Sequence, residues 1–410
     1  MTTSRVQGRG ATAGADAERM LALARRLIGA RSENPGGSEW PVVDILAEVL
    51  ADSADETRVI ECAPGRPNLL ARYGACDGVR PVLLVTAATD TVPADAARWR
   101  HPPFGGEHHD GELWGRGAVD MKGAIAAVVE AALRHRERGC PGGQDLILAF
   151  TADGERGGGA GWQRLAGELP WARPDGALLV APTSLVPHRR ERGVVWLGVD
   201  LYGRAAPASC AEEGTSAVVA ACALVQEFPG AAASALLRGG GDAGPVTVTA
   251  GRIAGGDRVN LVPGHCRVEF DLRLPPGSVD PDEERLAELV AGCLPAGVRA
   301  RTELLMLSPA SETSASEPLW HRLLDLGRAH GLTTGADPVY AGPTDARHLR
   351  GGLGVPTLLC GPGDQRRAHQ VDERVPLTEL TRAVALYEDL FAPGHPPHDG
   401  GRATTVHDRR

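Results

Sequence analysis

The chain has 410 residues, 42% of them hydrophobic, and a net charge of −9. That length and apolar content suffice for a full core and for two domains, and the acidic balance argues against a nucleic-acid partner, which would call for a basic footprint. No stretch reads as the roughly 20 consecutive apolar residues of a membrane span, and Met1 to Gly14 lacks the apolar segment of a secretion signal, so the default expectation is a cytoplasmic protein with no membrane partner.

The periodicity predicts helices over Ala15–Gly29 and Trp40–Leu50, separated by the loop Ser32-Glu33-Asn34-Pro35-Gly36-Gly37. Continuous apolar runs over Pro81–Thr86, Leu146–Phe150 and Ala177–Val180 have the character of strands buried on both faces. Helical patterns over Gly123–Arg138 and Gly161–Leu169 separate them, which predicts a partly parallel sheet with functional residues at the carboxyl ends of strands. After Val195 the pattern changes to strand Trp196–Tyr202, helix Thr215–Phe228, strands Val246–Arg252 and Cys266–Leu274, helix Asp280–Cys293 and strand Val298–Leu305, a β-α-β-β-α-β unit. A helix Glu317–His330 and a strand Val355–Cys360 return to the first domain. The tail beyond Pro393, rich in Pro, Gly, His and Arg, is expected to be disordered, its His395, His398 and His407 solvated. These readings set the boundaries at 1–190 for the first part of a catalytic domain, 191–304 for an inserted α+β unit, 305–393 for the second part, and 394–410 for the tail.

Eight scattered cysteines without a C-x-x-C pair read as reduced thiols. Three acidic and imidazole groups stand where loops follow strands or precede helices. Asp120 follows Trp114-Gly115-Arg116-Gly117-Ala118-Val119 at a helix start, Glu155 follows the strand ending at Phe150, and His369 lies beyond Gly361-Pro362-Gly363. Together they can close one metal site. Asp120 as a helix cap, His369 as a structural histidine and Glu155 paired with Arg156 or Arg116 are the plainer alternatives. His108-His109-Asp110 reads as a solvated hairpin turn at Asp110-Gly111. Lys122, the only lysine, can act as a base if buried, since burial lowers a lysine pKa.

The segments Trp114-Gly115-Arg116-Gly117-Ala118-Val119-Asp120-Met121-Lys122-Gly123, Thr344-Asp345-Ala346-Arg347, Gly203-Arg204-Ala205-Ala206, Asn260-Leu261-Val262-Pro263 and Gly361-Pro362-Gly363 with Ala368-His369-Gln370-Val371-Asp372-Glu373 occur in one order. In this the chain resembles, from about Ala15 to Pro393, the zinc aminoacylase and carboxypeptidase family that includes acetylornithine deacetylase, succinyl-diaminopimelate desuccinylase and bacterial glutamate carboxypeptidase. The resemblance implies an α/β, two-domain zinc-peptidase-like fold, with a mixed-sheet catalytic domain and an inserted ferredoxin-like lid or dimerisation domain. It also implies a homodimer, a small amino-acid-like substrate, metal ligands at Asp120, Glu155 and His369, and substrate contacts at Asn260, Arg273, Thr344, Asp345, Arg347 and Gly361. For Arg273 an ion pair with Glu269 or Asp271, and for Asn260 a turn, are the alternatives.

The departures from the family pattern fall together. Where the family reads G-H-x-D this chain has Ala87-Ala88-Thr89-Asp90, keeping the catalytic-site aspartate Asp90 that would orient the absent histidine. Where it reads D-E-E the chain has Asp153-Gly154-Glu155, without the general base; Ala181 replaces an acidic ligand, and Pro207 the lid histidine. The resemblance therefore implies one divalent cation, zinc by the family's precedent, or none. Three functions fit: a repurposed enzyme of amide or acyl chemistry, a non-catalytic binder of an amino-acid-like ligand, or a weak one-metal hydrolase of N-acyl amino acids.

Overall fold

The computed structural model describes residues 7–140, 143–237 and 243–392; the tail expected over 394–410 lies outside them. In chain order the first region comprises helices α1 (Gln7–Gly29) and α2 (Trp40–Leu50), strands β1 (Glu56–Ala63), β2 (Arg66–Tyr73) and β3 (Val82–Ala88), the short hairpin β4 (His108–His109) and β5 (Glu112–Trp114), helix α3 (Lys122–Glu137), and strands β6 (Asp145–Thr151) and β7 (Gly176–Pro182). The second comprises β8 (Gly193–Tyr202), α4 (Ala217–Leu236), β9 (Thr247–Gly255), β10 (His265–Leu274), α5 (Glu283–Gly292) and β11 (Arg299–Ser308). The chain then returns through α6 (Pro318–Ala329), β12 (Thr357–Gly361), β13 (Arg374–Pro376) and α7 (Leu377–Phe391).

The larger sheet has the order β1-β2-β6-β3-β7-β12; β6, β3, β7 and β12 run parallel, and the β1–β2 hairpin joins β6 antiparallel. The apolar runs are continuous because both faces are covered. Leu83, Val85, Leu146, Leu148 and Phe150 enter one core with α1, α3 and α7, whereas Val82, Leu84, Ile147 and Ala149 enter another around Trp162. The β1–β2 hairpin and α7 had no counterpart in the sequence reading. β1 is an edge strand whose exposed Arg58 and Val59 blur the alternation.

The second region is a four-stranded antiparallel sheet, order β9-β10-β8-β11, with α4 and α5 on one face. That is the ferredoxin-like arrangement. Val195, Leu197, Val199 and Leu201 of β8 and Cys266, Val268, Phe270 and Leu272 of β10 alternate into its core. Helix α4 is capped by Ser216, whose Oγ accepts the Val219 amide at 3.2 Å. It is long and apolar enough to cross a membrane by length and composition, which corrects the expectation that no stretch approaches a span. Its Ala217, Ala220, Ala221, Leu224, Phe228 and Ala232 are buried, the rings of Phe228 and Phe270 lying 4.9 Å apart. A buried side chain such as Phe228 contributes about 1.5–3 kcal/mol to that packing.

Candidate active site

Parallel strands end at one edge of a sheet, and the loops that leave that edge converge. Here they deliver Asp90 after β3, Glu155 after β6, Ala181 at the end of β7 and His369 after β12; Asp120 arrives just ahead of α3. With the exposed face of the lid sheet opposite, they line a cleft of about 730 Å³.

At its floor the ligating atoms of Asp120, Glu155 and His369 all lie within 4.8 Å of one another. His369 Nε2 is 3.3 Å from Asp120 Oδ2 and 3.1 Å from Glu155 Oε2. Hydrogen bonding to the carboxylates of Asp120 and then Glu155 raises the His369 pKa to about 10, while burial pushes the Glu155 carboxyl up. Two carboxylates and one imidazole within this span form a donor set that suits a divalent cation such as zinc, the imidazole changing its proton for the metal. Glu155 thus turns to His369.

Asp120 is held from behind. Glu373 Oε1 accepts the amides of Val119 at 2.9 Å and Asp120 at 3.1 Å, and Glu373 Oε2 accepts Arg116 Nη1 at 2.6 Å. This ion pair is fully enclosed. Lys122 is buried too, its Nζ donating to the Ala30 carbonyl at 2.6 Å, and burial lowers its pKa to about 7.

Asp90 lines the cleft, but its oxygens are engaged. Oδ1 accepts the Gly154 amide at 2.9 Å; Oδ2 accepts the Glu155 amide at 3.1 Å and Asn34 Nδ2 at 3.0 Å. Burial raises its pKa to about 7 against the opposing amide donors. Asp90 therefore shapes the turn that carries Glu155. Ala88, Gly154 and Ala181 line the same cleft and present no donor side chain.

The lid contributes Val194, Trp196, Arg273, Leu305 and Met306 to the cleft. Asp271 accepts Arg273 Nε at 2.7 Å on Oδ1, and Arg273 Nη2 and Trp196 Nε1, each at 2.9 Å, on Oδ2. Arg273 is thus both paired with Asp271 and part of the cleft wall. Among the other cleft residues, Thr344 donates from its amide at 2.9 Å and its hydroxyl at 2.5 Å to Glu191 Oε2. Arg347 donates to the carbonyls of Thr344 at 3.0 Å and Gly157 at 2.7 Å. Asp345 is buried, its carboxyl pushed up by that burial, with Thr151 Oγ1 at 3.4 Å.

Two expected contacts fall elsewhere. Asn260 is exposed, its carbonyl accepting the Ala208 amide at 3.0 Å, because the length of β10 separates it from Arg273. Gly361 is buried in β12 and absent from the cleft lining. It is glycine for close packing, since a Cβ there would lie 2.4 Å from the Val180 carbonyl oxygen. Two residues that position the site were missed. Glu373 stood inside a quoted motif, next to the sequence of His369; Glu191, between Arg190 and Arg192, carried no signal.

A cleft between a mixed α/β domain and a ferredoxin-like lid, floored by carboxylates and an imidazole, defines the metallopeptidase and aminoacylase class of hydrolase fold. The chain matches the model described as peptidase family M20/M25/M40 over residues 84–392 and belongs to that family. It is 28% identical over 407 residues to succinyl-diaminopimelate desuccinylase of Methylobacterium nodulans, covering 91% of this chain and 96% of that protein. It is 31% identical over 363 residues to acetylornithine deacetylase of Myxococcus xanthus, covering 84% and 90%. Among solved structures, a dinuclear metal-binding peptidase of the M20 family from Bacillus subtilis superposes with a TM-score of 0.64 at 15% identity, covering 92% of this chain and 98% of that one.

Proposed function

We propose that the protein is a repurposed M20-family enzyme. It binds one divalent cation through Asp120, Glu155 and His369, together with an amino-acid-like metabolite bearing a carboxylate and an amide or amine. It carries out acyl or aminoacyl transfer, or condensation, in place of efficient two-zinc hydrolysis. The observation behind this reading is the contrast within one cleft: three donors converge, whereas Ala88, Gly154 and Ala181, which line the same cleft, present none. The relatives' printed names, a desuccinylase and a deacetylase, support the ligand class.

A cation held there would polarise an acyl carbonyl as a Lewis acid. Arg273, oriented by Asp271, offers its remaining donors to a substrate carboxylate, and the 344–347 loop, braced by Glu191, lines the same cleft. With Gly154 at the general-base position, water lacks the carboxylate that would deprotonate it, a loss of about 10²–10⁴-fold in hydrolysis. Attack by a more nucleophilic amine depends less on such a base.

The same proposal includes a cytoplasmic homodimer joined through the lid. Strand β9 supports this, since it is an exposed edge carrying Ile253, and unpaired strand edges recruit partners.

The test is to incubate the zinc-loaded protein with N-acetyl and N-succinyl amino acids, with and without a primary amine, and to resolve the products. Amide formed with the added amine, in excess over free acid, is expected. Rapid release of free acid with no transfer product, or two cations held jointly by the cleft residues, overturns the reading.

A further inference from the structure

Outside the cleft, one other group of side chains among the described residues converges with metal-ligand spacing: His101, Glu107 and His109, whose ligating atoms all lie within 4.8 Å of one another. Their convergence has a local cause. Glu107 and His109 are two residues apart on an extended segment, so their side chains share a face; that segment pairs with β5 through Trp114 N to Glu107 O at 2.8 Å and His109 opposite Glu112. Asp110 and Gly111, both at positive φ, turn the hairpin. His101 is brought alongside by the turn from Pro102 to Gly105, closed by the Gly105 amide on the Pro102 carbonyl at 2.9 Å.

A single carboxylate oxygen, Glu107 Oε2, then faces both imidazoles, at 3.2 Å from His101 Nδ1 and 2.7 Å from His109 Nε2. The two rings stack with centroids 4.0 Å apart, and the edge of Trp114 backs His101 at 4.8 Å. Two cationic imidazoles stacked at that distance repel each other. A divalent cation takes both ring nitrogens and the carboxylate at once. His109 is 41% exposed on its side chain, which leaves water a path to the fourth position.

We propose that His101, Glu107 and His109 form a second divalent-cation site, separate from the cleft, that takes a borderline metal such as Zn²⁺. Imidazole and carboxylate ligands with an open tetrahedral position suit zinc and the neighbouring late transition metals, and do not suit Ca²⁺ or Mg²⁺, which take oxygen ligands. The site is structural: it fastens the 101–105 segment to the hairpin β4–β5. That hairpin pairs with β13, the strand that directly follows Glu373, the residue bracing Asp120.

The experiment titrates the full metal-free chain with Zn²⁺ by calorimetry and with Co²⁺ by visible absorption. It compares the wild type with His101→Ala/His109→Ala, with Glu107→Gln, and with the cleft variant Asp120→Asn/His369→Ala. The double histidine variant is expected to lose one equivalent and the tetrahedral Co²⁺ bands that survive in the cleft variant, and Glu107→Gln, which keeps the side chain's size, to weaken that equivalent at least about tenfold. Unchanged zinc stoichiometry and unchanged Co²⁺ bands in the double histidine variant overturn the proposal. Because the cleft equivalent is read separately, failure at the hairpin leaves the reading of the cleft untouched, and the reverse also holds.

Discussion

A Cβ built on Gly154 would lie 2.5 Å from the Cβ of Ala88. Two saturated carbons do not pack that closely, so with Ala at 88 this backbone leaves no room for a β-carbon at 154. The turn at 153–155 is locked in this state by Asp90, which accepts two of its amides.

Gly154→Ala is therefore expected to cost about 1–3 kcal/mol, as overpacking of a close contact does. Urea unfolding of the two proteins measures it. The combined substitution Ala88→His, Gly154→Glu and Ala181→Asp is expected to yield no gain in cleavage of N-acyl amino acids, because side chains alone do not reopen the backbone. A recovered hydrolase would show that the turn yields.

Glu373→Ala leaves Arg116 enclosed without its partner and removes the acceptor for the Asp120 amide. Breaking a buried pair from one side costs about 3–5 kcal/mol. The variant is expected to unfold at lower denaturant and to bind zinc in the cleft more weakly; intact zinc affinity would show that Asp120 needs no such brace.

Arg273→Ala is expected to weaken binding of a carboxylate-bearing amino acid by about 10- to 100-fold, the worth of hydrogen bonds to a charged group. Arg273→Lys recovers little, because the fork that grips Asp271 while facing the cleft is lost. Calorimetric titration with N-acyl amino acids and with their amides separates the carboxylate contribution. Equal loss for acids and amides would remove Arg273 from carboxylate recognition.

The buried histidines predict a pH trend. Burial lowers the pKa of both His135 and His188 from 6.5. The unfolded chain then binds more protons than the folded one near pH 6, so the stability these groups contribute is present above their unfolded value and fades as pH falls below it. His135→Gln is expected to flatten the fall in Tm between about pH 7 and about pH 5 relative to the wild type. A steeper fall in the variant would reverse the assignment.

Much of this architecture was legible in the chain because it rests on period and punctuation. The apolar runs at Val82, Leu146 and Ala177 have the character of strands covered on both faces, and they form the parallel strands whose carboxyl ends share one edge. That Asp120 joins Glu155 and His369 there was implied by the resemblance of the motifs around them, not by the strand pattern. What escaped depends on distance in space. Nothing in Asn260-Leu261 tells that β10 carries it away from Arg273. Nothing in Arg190-Glu191-Arg192 tells that the glutamate turns inward to brace Thr344. For Arg273 the ion pair with Asp271 is present, and the same side chain lines the cleft. Gly154 itself was visible at once, but its approach to Ala88 belongs to the fold.

The enclosure of Lys122 has a practical outcome. It is the single lysine in the sequence, and its ammonium is sealed against the Ala30 carbonyl. The folded surface therefore offers no lysine side chain to acylating dyes, amine cross-linkers or ubiquitin ligases. Labelling of Lys122 by such a reagent would report opening of the α3 start, next to the cleft, with no background from any other lysine.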